Sequence, residues 1–253
     1  MRARLLILGS FLAAFANQAW AAKHVPVAHP VVIELFTSQG CSDCPAADRL
    51  MTELAKRKDV IALSLPITYW DILGWKDTFA TEANTQRQKS YARTMNRSGV
   101  YTPQMIIDGR LDVVGNQRDR VLTALSSRGV ALNSEPPVPI FVGTASGRVE
   151  IAIPKAKIKP KSLATIWVMR TLAQGSVSVE EGENRNHQLT YTNIVRDLQR
   201  AGEWDGQAMK IDLPMSLAKL KYDGVVVILQ ARDFGPVLGA AVLQLSNSRV
   251  AKP

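Results

Sequence analysis

Cys41 and Cys44 are the only cysteines in this 253-residue chain, and they lie three residues apart. A thiol reacts as its thiolate, and a free pKa of about 8.5 leaves little thiolate at neutral pH unless the surroundings favour the anion. Two thiols at this spacing can divide a redox reaction between them: one attacks a disulfide and the other resolves the mixed disulfide. As a staple the pair is poor, because so small a loop removes little chain entropy. Two cysteines are also too few for a four-cysteine zinc site. The spacing therefore points to a thiol–disulfide function, with an inert surface disulfide as the competing reading. Cys41 is the expected exposed nucleophile and Cys44 the more buried resolving thiol. Asp43 lies between them, and an acid so close opposes thiolate formation, which predicts a less oxidising couple than a basic neighbour would give.

The elements around the pair suit that chemistry. Residues 31–36 form an apolar, strand-like run, and 37–40 read as a turn. From Cys41 the period changes: Ala47, Leu50, Met51 and Leu54 make one apolar helical face, to about residue 58. Pro45 is tolerable only in the first turn of that helix. Both cysteines are thus predicted at a helix start, where unpaired N–H groups and the positive end of the dipole stabilise an anion. A second strand is predicted at 61–65. A second helix should run from an N-cap at Asp77 to about Met95, burying Phe79, Ala83, Tyr91 and Met95. Strands at 105–107 and 111–114 around Asp108-Gly109 read as a hairpin, and 119–125 as a closing helix.

Other side chains are candidates for the same site. Thr102-Pro103 precedes a strand, and an X-Pro bond is the natural place for a cis peptide. A strand, a turn, Cys-x-x-Cys at a helix start and a later proline before a strand resemble the thioredoxin fold. In that fold such a cis-proline faces the cysteines and presents backbone to an extended substrate. Glu34 sits in the first apolar strand: it is either a buried proton acceptor for Cys44 or a strand-edge residue facing water. Tyr69, Trp70 and Trp75 cluster in a turn-rich loop, either as a grip on an extended peptide or as a core plug.

After residue 133 the texture changes. Residues 134–139 (Ser-Glu-Pro-Pro-Val-Pro) read as a linker. Beyond it, runs at 148–153, 164–171, 189–196, 207–213, 225–231 and 237–245 suggest strands without a long helix. The predicted fold is an α/β thioredoxin-like domain over 22–133, followed by a smaller all-β, sandwich-like domain over 140–253. Glu183, Asn184, Arg185, His187 and Arg196 form a polar block, read as a solvated hairpin or as a partner or domain interface.

Residues 34–48, ending Gly40-Cys41-Ser42-Asp43-Cys44-Pro45-Ala46-Ala47-Asp48, resemble the signature of the secreted domain-of-unknown-function 1223 family. So do Tyr69-Trp70-Asp71-Ile72-Leu73-Gly74-Trp75-Lys76-Asp77, Arg87-Gln88 with Tyr91-Ala92, and Tyr101-Thr102-Pro103-Gln104-Met105 with Asp108-Gly109. Gly182-Glu183-Asn184-Arg185 through Thr192-Asn193-Ile194-Val195-Arg196 is similar to that family's C-terminal signature. The resemblance implies a thioredoxin-like fold and export, but no established reaction. In place of the His and Asp that some members carry just before Tyr-Trp-Asp, this chain has Pro66 and Thr68.

The N-terminus supports export. Arg2 and Arg4 precede an apolar run over 5–16, and Ala19-Trp20-Ala21 fits a signal-peptidase site, with cleavage expected after Ala21. No later segment is long and apolar enough to span a membrane as a helix. Residues 1–21 hold two arginines and no acids, so the formal charge of +9 becomes +7 on cleavage. No dense basic run or nucleic-acid motif accompanies that charge. The predicted location is the periplasm or the medium, with protein or small-molecule disulfides as substrates, an unidentified redox partner and no cofactor beyond the cysteine pair. The alternative is a binding protein on the same fold. It would be either an adaptor or a copper-handling module using the soft thiolates, with His24, His29, His187 and Met105 as the remaining candidate ligands.

Overall fold

The computed structural model describes residues 30–134, 137–157, 163–215, 222–232 and 234–245. The predicted signal peptide, His24, His29 and part of the 134–139 stretch lie outside them. The chain runs β1 (Val31–Thr37), α1 (Cys44–Leu54), β2 (Val60–Pro66), a 3-10 turn (Asp71–Leu73), α2 (Glu82–Thr94), β3 (Gln104–Ile107), β4 (Leu111–Val114) and α3 (Arg118–Ser134). Seven strands follow: β5 (Phe141–Ala145), β6 (Arg148–Ile153), β7 (Ala164–Ser178), β8 (Gln188–Trp204), β9 (Met209–Pro214), β10 (Gly224–Ala231) and β11 (Val237–Gln244).

Eight of these strands make one mixed sheet, ordered β11-β10-β7-β8-β2-β1-β3-β4, and β5-β6-β9 make a second. β1 is central to the first half, parallel to β2 and antiparallel to β3. Because side chains alternate along a strand, β1 serves two cores. Val31, Ile33 and Leu35 pack with Ala47, Leu50, Met51 and Leu54 of α1 and with Val121 and Leu125 of α3. Val32 and Phe36 face the other way, onto Ile61, Leu63 and Leu65 of β2 and Tyr91 of α2. All seven residues of β1 are buried. Each fully buried aliphatic or Phe side chain there contributes about 1.5–3 kcal/mol.

The β-rich half does not stand apart from this sheet. β8 joins β2 through one parallel bridge, Ser64 to Ile194. Ser64 Oγ donates to Thr192 O at 2.9 Å, and Asn193 Nδ2 donates to Ala62 O at 3.0 Å. Thr52 of α1 and Thr192 of β8 share a hydroxyl hydrogen bond at 2.9 Å. The small sheet covers the far end of the large one, where Val142, Val149 and Ile151 pack on Ile166, Val168, Val225 and Val227. After residue 140 a second, smaller sheet is present, and the layer it packs on is an extension of the first half's sheet.

Several elements differ from the sequence reading. α1 begins at Cys44, so Cys41 lies in the turn before it. α2 starts at Glu82 with Thr81 as N-cap, the Thr81 hydroxyl accepting from Asn84 N. Asp77 instead accepts from the Phe79 and Ala80 N–H groups in an earlier turn. The buried side of α2 is polar: Asn84, Thr85, Arg87, Gln88 and Ser90 join Tyr91 and Ala92, while Ala83 is exposed. α3 is far longer than 119–125, and β5 adds a strand that the sequence reading did not assign.

Candidate functional site

β1 delivers the chain to the Ser38–Gly40 turn, and Cys41 N donates to Ser38 O at 3.3 Å. Cys41 and Cys44 form a disulfide with Cα atoms 5.4 Å apart. Pro45 sits in the first turn of α1, where its missing N–H has no helical partner to lose. The predicted asymmetry between the cysteines is corrected: Cys41 is 1% exposed and Cys44 0%. The cover comes from the turn joining β7 to β8. Asn184 Nδ2 donates to Gln39 O at 2.9 Å and to Cys41 O at 2.8 Å, and the Glu183 carboxylate accepts the Ser42 N–H at 3.0 Å. Asn184 is 5% exposed. The polar block at 180–187 is thus an intramolecular interface on the cysteine turn.

Around the cysteine turn lie two buried acids, Asp48 and Asp77, that sequence reasoning did not place at the site. Asp48 is fully buried one turn after Cys44, and i, i+4 side chains on a helix lie about 5–6 Å apart at Cβ. Thr37 Oγ1 donates to Asp48 Oδ1 at 2.9 Å, and Asp48 Oδ2 has no partner. Burial holds the Asp48 carboxyl well above the ordinary carboxylate range, outweighing the Thr37 hydrogen bond. Burial also pushes Asp77 up to about 6, although its carboxylate accepts the N–H groups of Gln39, Phe79 and Ala80. The Tyr191 hydroxyl of β8 is buried and unpartnered, and burial followed by the nearby Asp48 and Asp77 raises its pKa. The signal was available: Cys44, Ala47, Asp48 and Met51 fall at i, i+3, i+4 and i+7, which places an acid inside the apolar stripe.

Glu34 belongs elsewhere, and its predicted role as proton acceptor for Cys44 is corrected. It shares the face of Val32 and Phe36, opposite the residues that pack on α1. At 1% exposure it accepts from Arg87 Nε at 2.7 Å and from the Tyr91 hydroxyl. Gln230 of β10 completes this network through Arg87 and Tyr91.

Thr102-Pro103 is a cis peptide. Gln104 pairs with Phe36, so Pro103 lies beside the end of β1. A Cβ added at Gly115 would meet Pro103, Leu35 and Ala47 at 3.2 Å each, which places the proline against the start of α1. Trp70 is half-buried; its Nε1 donates to Thr102 Oγ1 at 2.8 Å, and its Cβ would contact a Cβ at Gly40 at 3.2 Å. Trp70, Thr102 and Gly40 therefore form one surface next to Cys41. Trp75 is committed differently: its Nε1 donates to the Gln39 side chain at 2.8 Å, and it packs on Val179, Leu189 and Tyr191 under the β7–β8 tip. Burial pushes Tyr69 up to about 12. Of the copper-ligand candidates, Met105 is in the core beneath α1, and His187 is on the exposed side of the tip. Among the described residues no group of three or more His, Cys, Asp or Glu side chains is placed to hold a metal ion.

Residues 32–230 match the model of the DUF1223 family, described as proteins of unknown function. The chain belongs to that family. No curated protein matches. A crystal structure of protein AGR_C_4864 from Agrobacterium tumefaciens is similar at 34% identity and TM-score 0.74, over 89% of this chain and 98% of that one. HBP35 of Porphyromonas gingivalis shares the fold at TM-score 0.59 and 11% identity, over 89% and 78% of the two chains. The DUF1223 match crosses the change of texture at 134–139, so the β-rich half belongs to the family unit. Its segments meet in space: 37–48 carries the disulfide, 69–77 and 101–104 flank it, and 182–184 cover it.

Among the described residues no helix is long and apolar enough to cross a membrane.

Proposed function

We propose that this DUF1223 protein is an exported thiol–disulfide oxidoreductase on a thioredoxin-like frame. The observation that carries the reading is the Cys41–Cys44 disulfide at the N-terminus of α1, directly after the central strand and beside cis-Pro103. The order β2-β1-β3-β4, with α1 and α3 on one face and α2 on the other, supports the frame. The segment 1–21 supports export.

In the reducing direction the Cys41 thiolate attacks one sulfur of a substrate disulfide, forming a mixed disulfide and releasing the other sulfur as a thiolate. Cys44, deprotonated, attacks Cys41 Sγ; the second substrate thiolate leaves, and two electrons have passed from the dithiol to the substrate. An external dithiol restores the pair by the reverse exchange. Asp48 is the group placed to take the Cys44 proton and to return it. Its carboxyl is buried one turn away, with one oxygen free of other partners. Trp70 and Thr102 offer the surface on which an extended substrate would lie.

The deciding measurement is the equilibrium reduction potential of the pair in the mature protein, with Cys41→Ser as control. A value within about −120 to −270 mV is expected, the range of catalytic thiol oxidoreductases. A potential below about −300 mV would mark a structural disulfide and overturn the reading.

A further inference from the structure

A catalytic disulfide must be reached, yet both sulfurs here belong to buried residues. The cover is specific. Asn184 spans two carbonyls of the cysteine turn, and Glu183 takes the first exposed N–H of that turn; both come from more than 140 residues downstream. The tip is a tight structure of its own: Val179 N donates to His187 O, Asn186 N to Val179 O, and Gly182 adopts a positive φ of 80°. It rests on Val179, Leu189, Tyr191 and Trp75, a small cluster separate from the main cores.

The charges around this contact depend on the redox state. In the disulfide Cys41 is neutral, and the Ser42 N–H, two residues before α1, is held by the Glu183 carboxylate. Reduction by an external dithiol breaks the S–S bond, oxidises the dithiol to its disulfide and leaves two cysteines. Cys44 takes a proton, and Cys41 is left as the thiolate stabilised by the same helix N-terminus. The Glu183 carboxylate, bound one residue along the turn, then faces a second negative charge, and the two repel. Asp43, two residues after Cys41, and Glu181 on the tip near Gly74 add to the negative charge; Lys76 and Arg185 are the exposed cations in these segments.

We propose that the 179–187 tip is a redox-sensitive latch: Asn184 and Glu183 hold it over Cys41 in the disulfide state, and the Cys41 thiolate displaces it. Asn184 is a positioning residue that acts through the Cys41 and Gln39 carbonyls. Glu183 disfavours the Cys41 thiolate and so keeps the couple more reducing than the helix terminus alone would. The inference deepens the redox reading and rests on it for its biological use, but the latch itself can be tested with chemical reductants.

The experiment uses the full mature chain and three variants: Asn184→Ala, Glu183→Gln and, as a control on the same tip, Arg185→Ala. Cooperative thermal unfolding establishes that each is folded. The first readout is the rate at which a water-soluble phosphine reduces the native disulfide. Loss of two hydrogen bonds should raise the open population and hence the rate for Asn184→Ala roughly tenfold or more, with Arg185→Ala close to wild type. The second is amide hydrogen exchange of 179–187 in the oxidised and reduced wild-type protein, which should quicken on reduction. The third is thiolate absorbance of the reduced protein against pH, in which Glu183→Gln should ionise Cys41 at lower pH. An Asn184→Ala rate equal to that of Arg185→Ala, tip exchange unchanged by reduction, or an unchanged Cys41 titration overturns the latch. None of these readouts requires catalysis, so a potential below the catalytic range would remove the redox reading and leave a latch over a structural disulfide.

Discussion

Asp48 shows how one side chain can link reactivity to stability. Its carboxyl titrates above its unfolded value, as does that of Asp77, so the native state retains protons that the unfolded chain gives up. The sign follows: as pH rises from the ordinary carboxylate range near 4, stability falls through this pair, the Asp77 part of the loss ending near pH 6. Asp48→Asn keeps the shape and removes the buried charge. Urea unfolding at pH 4 and pH 7 should show a smaller loss of stability in the variant than in wild type; an equal loss would place the proton elsewhere. In thiol–disulfide exchange at pH 7 the same variant should resolve the mixed disulfide about 100-fold more slowly, with a flattened pH profile. The cysteine pair was legible because spacing and local pattern are sequence properties. Asp48 was hidden in plain view within the α1 stripe, whereas Glu34 drew attention as an acid in an apolar strand. Which face of β1 each residue takes becomes known only when α1 and α2 are placed on opposite sides.

Element by element, α2 departs most from its pattern. Apolar periodicity fails there because the helix buries a polar side. Arg87 pairs with Glu34, stacks within 5.2 Å of the Tyr91 ring and 5.1 Å of the Trp167 ring, and reaches Gln230 at 3.2 Å. Apolar spacing does not reveal that face, and the stripe Phe79, Ala83, Tyr91 and Met95 includes Ala83, which is exposed. The β3–β4 hairpin was legible because Asp108-Gly109 sets positive φ at both residues, 51° and 64°. Removing one partner of a buried ion pair leaves the other charge stranded, so Arg87→Ala should destabilise the fold by about 3–5 kcal/mol in chemical denaturation. Pairing it with Glu34→Gln should recover part of that loss. A change under 1 kcal/mol for Arg87→Ala would show that water reaches the network.

At the scale of the molecule, the change of texture after residue 133 marks a change in element type and not a break in the sheet. The strand that joins the halves, β8, meets β2 at Ser64 and Ile194, 130 residues apart, and nothing local in either strand announces the pairing. Val32, Phe36, Ile61, Leu63 and Leu65 share their core with Met169, Val195, Val226 and Ile228. A fragment of residues 22–133 would expose that face, so it should lack a cooperative unfolding transition and bind a hydrophobic dye. A sharp transition in the fragment would show that the first half folds alone.

A chain is made from its N-terminus, and the residues that cover Cys41 are made late. Ser42 and Glu183 are 141 positions apart, and synthesis at about 5–20 residues per second puts roughly 7–30 seconds between them. Through that interval the cysteine turn lacks the Asn184 and Glu183 contacts that close over it in the finished chain. In an exported chain the thiols stay reduced until they reach an oxidising compartment, so the disulfide forms after synthesis, in competition with the docking of the tip.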